Sequence, residues 1–173
     1  EDGYVLLERL ISDEWIERLR AVTEEMVNRS REVTKSNEVW DLDDNHTADA
    51  PRLRRLSSPN DPHPVYWEHA SQSVLADAIS DLVGPNVKFH HSKLNFKWSG
   101  GGDEVKWHQD ISFWPHTNYT PCTAGTYIYD CGLEQGPLAV YPGSHNDDLY
   151  YQYNDKGEWT GCLNTEDTAK IDM

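Results

Sequence analysis

Residues 87–98 read VKFHHSKLNFKW, and their period decides the fold. Leu94, Phe96 and Trp98 alternate with Lys93, Asn95 and Lys97. Side chains two apart share one face of a strand. One side of this segment is therefore apolar, while His91, Lys93, Asn95 and Lys97 line the other. The following SGGGDE breaks the pattern as a turn.

Upstream the period is helical. After the short apolar run YVLLERLI at 4–11, expected to be a strand, Ser12 offers an N-cap with Asp13 and Glu14 in the first turn. Trp15, Ile16, Leu19, Val22, Met26 and Val27 then recur at helical spacing, an amphipathic stripe read as core. A second helix is expected over about 71–83, with Leu75, Ala78, Ile79, Leu82 and Val83 on one side and Gly84-Pro85 as its stop. Between them, residues 36–64 read as a long polar loop with one short strand. Downstream, VKWHQDISF, CTAGTYIYDCG and GPLAVYPGSH read as further strands. Residues 146–173 are polar and show no strong period. Helices followed by strands predict an α+β, mainly β domain with flanking helices. A single domain over 1–173 is expected: 1–85 as helical and loop support, 86–145 as strands, and 146–173 as a polar loop or the start of further structure.

Bulk composition narrows the partners. The chain has 173 residues, 37% of them hydrophobic, with a net charge of −15. That charge disfavours nucleic acid and anionic membranes, which call for a basic surface. Arg52, Arg54 and Arg55 form one basic knot, read as solvated charges around Leu53 and Leu56 rather than a phosphate clamp. No apolar run approaches membrane-spanning length. The opening residues lack the pattern of a secretory signal. Cys122, Cys131 and Cys162 lack metal spacing and are expected to be reduced, buried thiols. A cytoplasmic protein is the expectation.

The chemistry concentrates in KWHQDISFW at 106–114. On a strand, His108 and Asp110 would converge on one side while Gln109 faces away. An imidazole and a carboxylate on one face begin the facial triad used for non-haem Fe(II). Alone, the pair reads equally as a surface ion pair or a hydrogen-bonded core histidine. Its setting among Trp107, Phe113 and Trp114 favours the metal, because an unpaired buried carboxylate is costly.

Three stretches together carry a resemblance: KWHQD, YDCGLEQGPLAVYPGSH at 129–145, and EDGYVLLERLISDEWIERLR at 1–20. In this order they resemble the phytanoyl-CoA dioxygenase family of Fe(II)- and 2-oxoglutarate-dependent oxygenases. The flavour is that of bacterial small-molecule hydroxylases such as the ectoine hydroxylases. The resemblance implies a double-stranded β-helix, the cupin-like jelly roll. It implies His108 and Asp110 as iron ligands and catalytic residues, Lys97 and Thr126 at the 2-oxoglutarate cosubstrate, and Trp114 at the substrate. It implies Fe(II) and 2-oxoglutarate as cofactors, and O₂ and a small molecule as reactants. The expected activity is hydroxylation of an unactivated C–H bond. Halogenases of this kind carry a small residue where Asp110 stands, so the carboxylate argues for hydroxylation.

The family pattern also calls for a distal histidine and an arginine after the PGSH turn, and residues 146–173 contain neither. The sequence is therefore expected to belong to a longer chain whose last jelly-roll strands supply the third ligand. His145, beside the Pro-Gly turn, is read as a hydrogen-bonding residue. Two other functions stay open. One is a catalytically silent jelly roll that binds a small ligand. The other is a non-iron metalloenzyme of cupin type.

Overall fold

The structure, a computed structural model, describes residues 1–100, 104–114, 118 and 120–171. They fall into two compact units, each drawing on separated stretches of chain. The larger comprises Glu8–Asp103 and Cys122–Pro137, the smaller Glu1–Leu7, Glu104–Pro121 and Leu138–Met173. Helices and a small antiparallel sheet make this an α+β fold.

The larger unit opens with α1, Asp13–Arg29, capped as the sequence requires: the Ser12 hydroxyl accepts from the Trp15 amide at 3.4 Å. Its apolar stripe buries Leu19, Val22 and Met26. The sheet has the order β1 (Trp40–Leu42), β2 (Leu53–Ser57), β3 (Lys93–Asn95), all antiparallel. Leu53 and Leu56 are both fully buried although they stand three residues apart. The register explains this. Asp41 pairs with Arg55 and Leu42 with Leu53, so Arg54 is an extra residue in β2. Such a bulge resets the two-residue alternation and turns both leucines inward.

The arginine knot lies along this strand and meets carboxylates. Arg55 Nε lies 2.8 Å from Asp41, Arg54 lies 3.2 Å from Asp44 and 3.6 Å from Asp41, and Arg52 lies 3.5 Å from Asp43. The stretch read as a long loop thus holds most of the sheet. It also leads into an unforeseen helix, α2 (Pro64–Gln72), whose first-turn amide of Val65 donates to the capping His63. Helix α3 spans Val74–Val83 with Ser73 as N-cap. Leu75, Ala78 and Ile79 are half-buried, while Leu82 and Val83 are exposed.

The core joins Leu19, Val22 and Met26 of α1, Leu53 and Leu56 of β2, Tyr66 of α2, and Ile128. Removing a large buried aliphatic side chain from water contributes roughly 1.5–3 kcal/mol. A buried polar pair sits in this core: the Thr23 and Tyr66 hydroxyls lie 3.0 Å apart, and burial raises the Tyr66 phenol above its ordinary pKa.

The alternation of 93–98 is present as expected. Leu94, Phe96 and Trp98 are half-buried, and Leu94 and Phe96 pack on the core, whereas Lys93, Asn95 and Lys97 are exposed. Pairing in a ladder is narrower than the alternation and covers only Lys93–Asn95. Segment 122–131 behaves similarly. Ile128 is buried and Thr126 half-buried, while Tyr127 and Tyr129 point out. The two-residue period sorts the side chains there, although no described residue of 122–131 belongs to a strand. Residues 4–11, 104–113 and 137–145 likewise form no strand. A strand needs a neighbour on its edge, and local alternation says nothing about where that neighbour comes from. The thiols also differ from expectation. All three are free, but Cys122 and Cys131 are exposed and only Cys162 is half-buried. No helix among the described residues is long and apolar enough to cross a membrane.

The smaller unit is built from turns. A 3₁₀ turn at Asp110–Phe113, another at Ser144–Asn146 and α4 at Thr165–Ile171 are its helical pieces. The Gly143 amide donates to the Asp2 carbonyl at 2.9 Å. Gly3, at φ +82°, lies so close to the His145 ring that any Cβ there would collide with it.

Candidate functional site

His108 and Asp110 lie in the smaller unit, and the structure brings them together: Nε2 of His108 stands 3.1 Å from Oδ1 of Asp110. The expected strand is absent, but the reason for convergence survives. Gln109 between them is extended, at φ −108° and ψ 119°, so its neighbours project to the same side. At Asp110 the backbone turns into the 3₁₀ turn and carries Phe113 back toward the histidine. The Phe113 ring meets His108 edge-on at 5.5 Å and Trp159 at 4.8 Å. Trp114 lies tilted against Phe113 at 6.1 Å. Gly161, at φ +66°, makes room for this packing, because a Cβ there would stand 3.2 Å from the Phe113 ring.

The hydrogen bonds of His108 fix what the pair can hold. Its Nδ1 lies 2.7 Å from the Lys106 carbonyl, which can only accept, so Nδ1 carries a proton. In the neutral ring, the Nε2 lone pair then faces a carboxylate oxygen. Two acceptors at 3.1 Å call for a positive charge between them, either a proton or a cation. A histidine that ligates a metal typically shows this pattern, with its second nitrogen donating to a carbonyl. Two atoms each about 2.1 Å from an octahedral ion, and about 90° apart, lie about 3.0 Å from each other. The observed spacing fits two adjacent ligands of one small divalent ion. Both groups are reachable, with side-chain exposures of 22% and 37%. Among the described residues no third His, Cys, Asp or Glu joins them.

Gln109 does face away, as expected, but it is not idle. Its Oε1 accepts from the Tyr150 amide at 2.8 Å, and its Nε2 donates to the Asp148 carbonyl at 3.3 Å. Nearby, the Leu163 amide donates to the Trp107 carbonyl at 2.8 Å, and buried Gln152 donates to Ser112 at 3.0 Å. Residues 148–163, which carry no periodic signal, thus clamp the His-x-Asp segment along its length. Their partners are some forty residues away in sequence, beyond any local pattern.

Lys97 and Thr126 belong to the larger unit. Lys97 is exposed and follows β3. Thr126 is half-buried, and its hydroxyl lies 3.1 Å from Nε2 of His69 on α2. His69 was not foreseen as a site residue, because the helix that carries it begins at Pro64 inside an apparent loop. The sequence signal was present: a capping residue followed by proline at the first helical position.

The sequence profile of the family described as "Phytanoyl-CoA dioxygenase (PhyH)" matches residues 1–171. The chain is 29% identical over 168 residues to a Stutzerimonas stutzeri protein named "Probable alpha-ketoglutarate-dependent hypophosphite dioxygenase", covering 94% of this chain and 57% of that one. It is 28% identical over 148 residues to the ectoine dioxygenase of Bordetella parapertussis, covering 83% and 46% respectively. It is 25% identical over 171 residues to the peroxisomal phytanoyl-CoA dioxygenase of Rattus norvegicus, covering 95% and 50%. The chain therefore spans about half the length of these curated relatives. No solved structure gives a significant match. With nearly its whole length under one family profile, the chain belongs to the phytanoyl-CoA dioxygenase family.

Proposed function

We propose that this chain carries the proximal part of a non-haem Fe(II)- and 2-oxoglutarate-dependent dioxygenase site that hydroxylates a small molecule. The observation that carries this is the facing pair: a histidine whose tautomer is set by the Lys106 carbonyl, with its lone pair toward Asp110 at 3.1 Å. When bound, Fe(II) and 2-oxoglutarate supply oxidative decarboxylation of the cosubstrate coupled to oxygenation of a C–H bond. In this reading His108 and Asp110 are two ligands, and a distal histidine of the complete protein is the third. The Lys106 carbonyl keeps the His108 ring oriented, and Gln109 fixes the backbone between the ligands. Phe113 packs edge-on against His108 and steadies its ring, and Trp114 offers an apolar face to substrate. Lys97 and the Thr126 hydroxyl serve the carboxylates of 2-oxoglutarate, an ammonium by charge and a hydroxyl by hydrogen bonding. The fold we propose for the complete domain is the double-stranded β-helix, in which the extended segments would take their places as strands.

The test is cosubstrate turnover. The purified full-length protein, with Fe(II), O₂ and a panel of small amino acids and cyclic zwitterions, should convert 2-oxoglutarate to succinate. His108→Ala and Asp110→Ala should each abolish that conversion. Equal succinate release by wild type and both variants would refute the assignment.

A further inference from the structure

His69 is 8% exposed, and among the described residues the one hydrogen-bond partner of its ring is Thr126. Its other ring nitrogen, Nδ1, is buried and has no hydrogen-bond partner among the described residues. The ring is held firmly. It packs at 5.5 Å against Trp15, over which the Arg18 guanidinium sits at 4.2 Å. Arg18 in turn pairs with Glu68 at 2.6 Å, next to His69 in sequence. The His69 carbonyl accepts from the Ser73 hydroxyl at 2.6 Å.

Burial lowers the basicity of His69 and keeps the ring neutral, with one N–H. Were that proton on Nδ1, a buried donor would be left without an acceptor, the rarer and costlier defect in folded proteins. Thr126 would also have to spend its own proton on Nε2. With the proton on Nε2, the donor is satisfied and only a lone pair is left bare. The Thr126 hydroxyl then accepts from His69, and its own hydrogen is left over. Thr126 is half-buried, so that hydrogen has room to meet a ligand.

We propose that His69 is a positioning residue for the cosubstrate: its Nε2–H holds the Thr126 hydroxyl so that the hydroxyl proton is left to donate to a carboxylate oxygen of 2-oxoglutarate. This rests on the reading of Thr126 given above. The role needs a rigid neutral donor at one place, which a buried imidazole between Trp15 and Thr126 provides.

The test is calorimetric titration of 2-oxoglutarate into the Mn(II)-loaded full-length protein, with melting midpoints recorded alongside. Thr126→Val should weaken binding about tenfold, the usual loss for a hydrogen bond to a charged group. His69→Phe, which keeps a ring against Trp15 but has no donor, should weaken it similarly. The double variant should be no worse than either alone, because the two residues act as one unit. In His69→Gln the amide nitrogen reaches the place of Nε2, and binding should return to within about threefold of wild type. In His69→Asn the amide reaches only the place of Nδ1, so this variant should bind as weakly as Thr126→Val. It also serves if the phenylalanine variant does not fold. If Thr126→Val weakens binding while His69→Asn and His69→Phe do not, the positioning role is refuted and the cosubstrate site stands. Losses that multiply in the double variant, or a glutamine variant no better than phenylalanine, refute it too. If Thr126→Val binds like wild type, both this role and the reading of Thr126 fall.

Discussion

Gln109 shows how a residue between two ligands can matter without touching what they hold. One side chain accepts from Tyr150 and donates to Asp148, so the extended peptide that aims His108 and Asp110 is tied at its midpoint. Gln109→Ala leaves both groups without that partner. It should cost about 1–2 kcal/mol in urea unfolding, by the ordinary worth of such bonds. Fe(II) affinity should fall with it while His108 and Asp110 remain. His69 couples stability to pH. Its folded pKa lies below the ordinary histidine value, so as pH falls through about 6.5 the unfolded chain takes up a proton that the folded chain refuses. The unfolded state then binds more protons, and stability must fall as pH falls. The loss stops only below the folded pKa. Melting followed from pH 7 to pH 5 should show a decline that His69→Phe makes shallower. The convergence of His108 and Asp110 was legible in sequence because it depends on one extended residue. The partners of Gln109 and His69 were not, because they lie 39, 41 and 57 positions away.

Helix α1 was legible almost residue by residue. The Ser12 cap, the acidic first turn and the buried Leu19, Val22 and Met26 all follow from local pattern. Met26 is completely buried against the β2 leucines and Tyr66, so Met26→Ala should destabilise by about 2–5 kcal/mol in chemical denaturation. An exposed α1 position such as Glu14 should tolerate the same change. The sheet was less legible for a physical reason. β2 contains a bulge at Arg54, which places Leu53 and Leu56 on one face at a three-residue spacing that breaks the period of a strand. The arginines between and beside those leucines give the segment the look of a polar loop, yet they pair with Asp41, Asp43 and Asp44. The opposite error arose downstream. The segment 122–131 reads as a strand from its composition, and Thr126 and Ile128 do turn inward while Tyr127 and Tyr129 stay exposed, but strand pairing needs a neighbour that such a local pattern does not specify.

Across the whole chain, the α+β character and the family were both readable from ordered motifs, and the division into two units was not. Each unit collects stretches far apart in sequence, an arrangement that local composition does not specify. Everything proposed about function turns on whether the lone pair of His108 and the carboxylate of Asp110 share a cation or only a proton. Anaerobic Fe(II) titration of the full-length protein and of His108→Ala and Asp110→Ala measures this most directly. One Fe(II) per wild-type chain, with affinity lower by at least about a hundredfold in each variant, is the result expected. Equal stoichiometry and affinity in all three proteins would contradict it, and would leave the facing pair as a protonated ion pair.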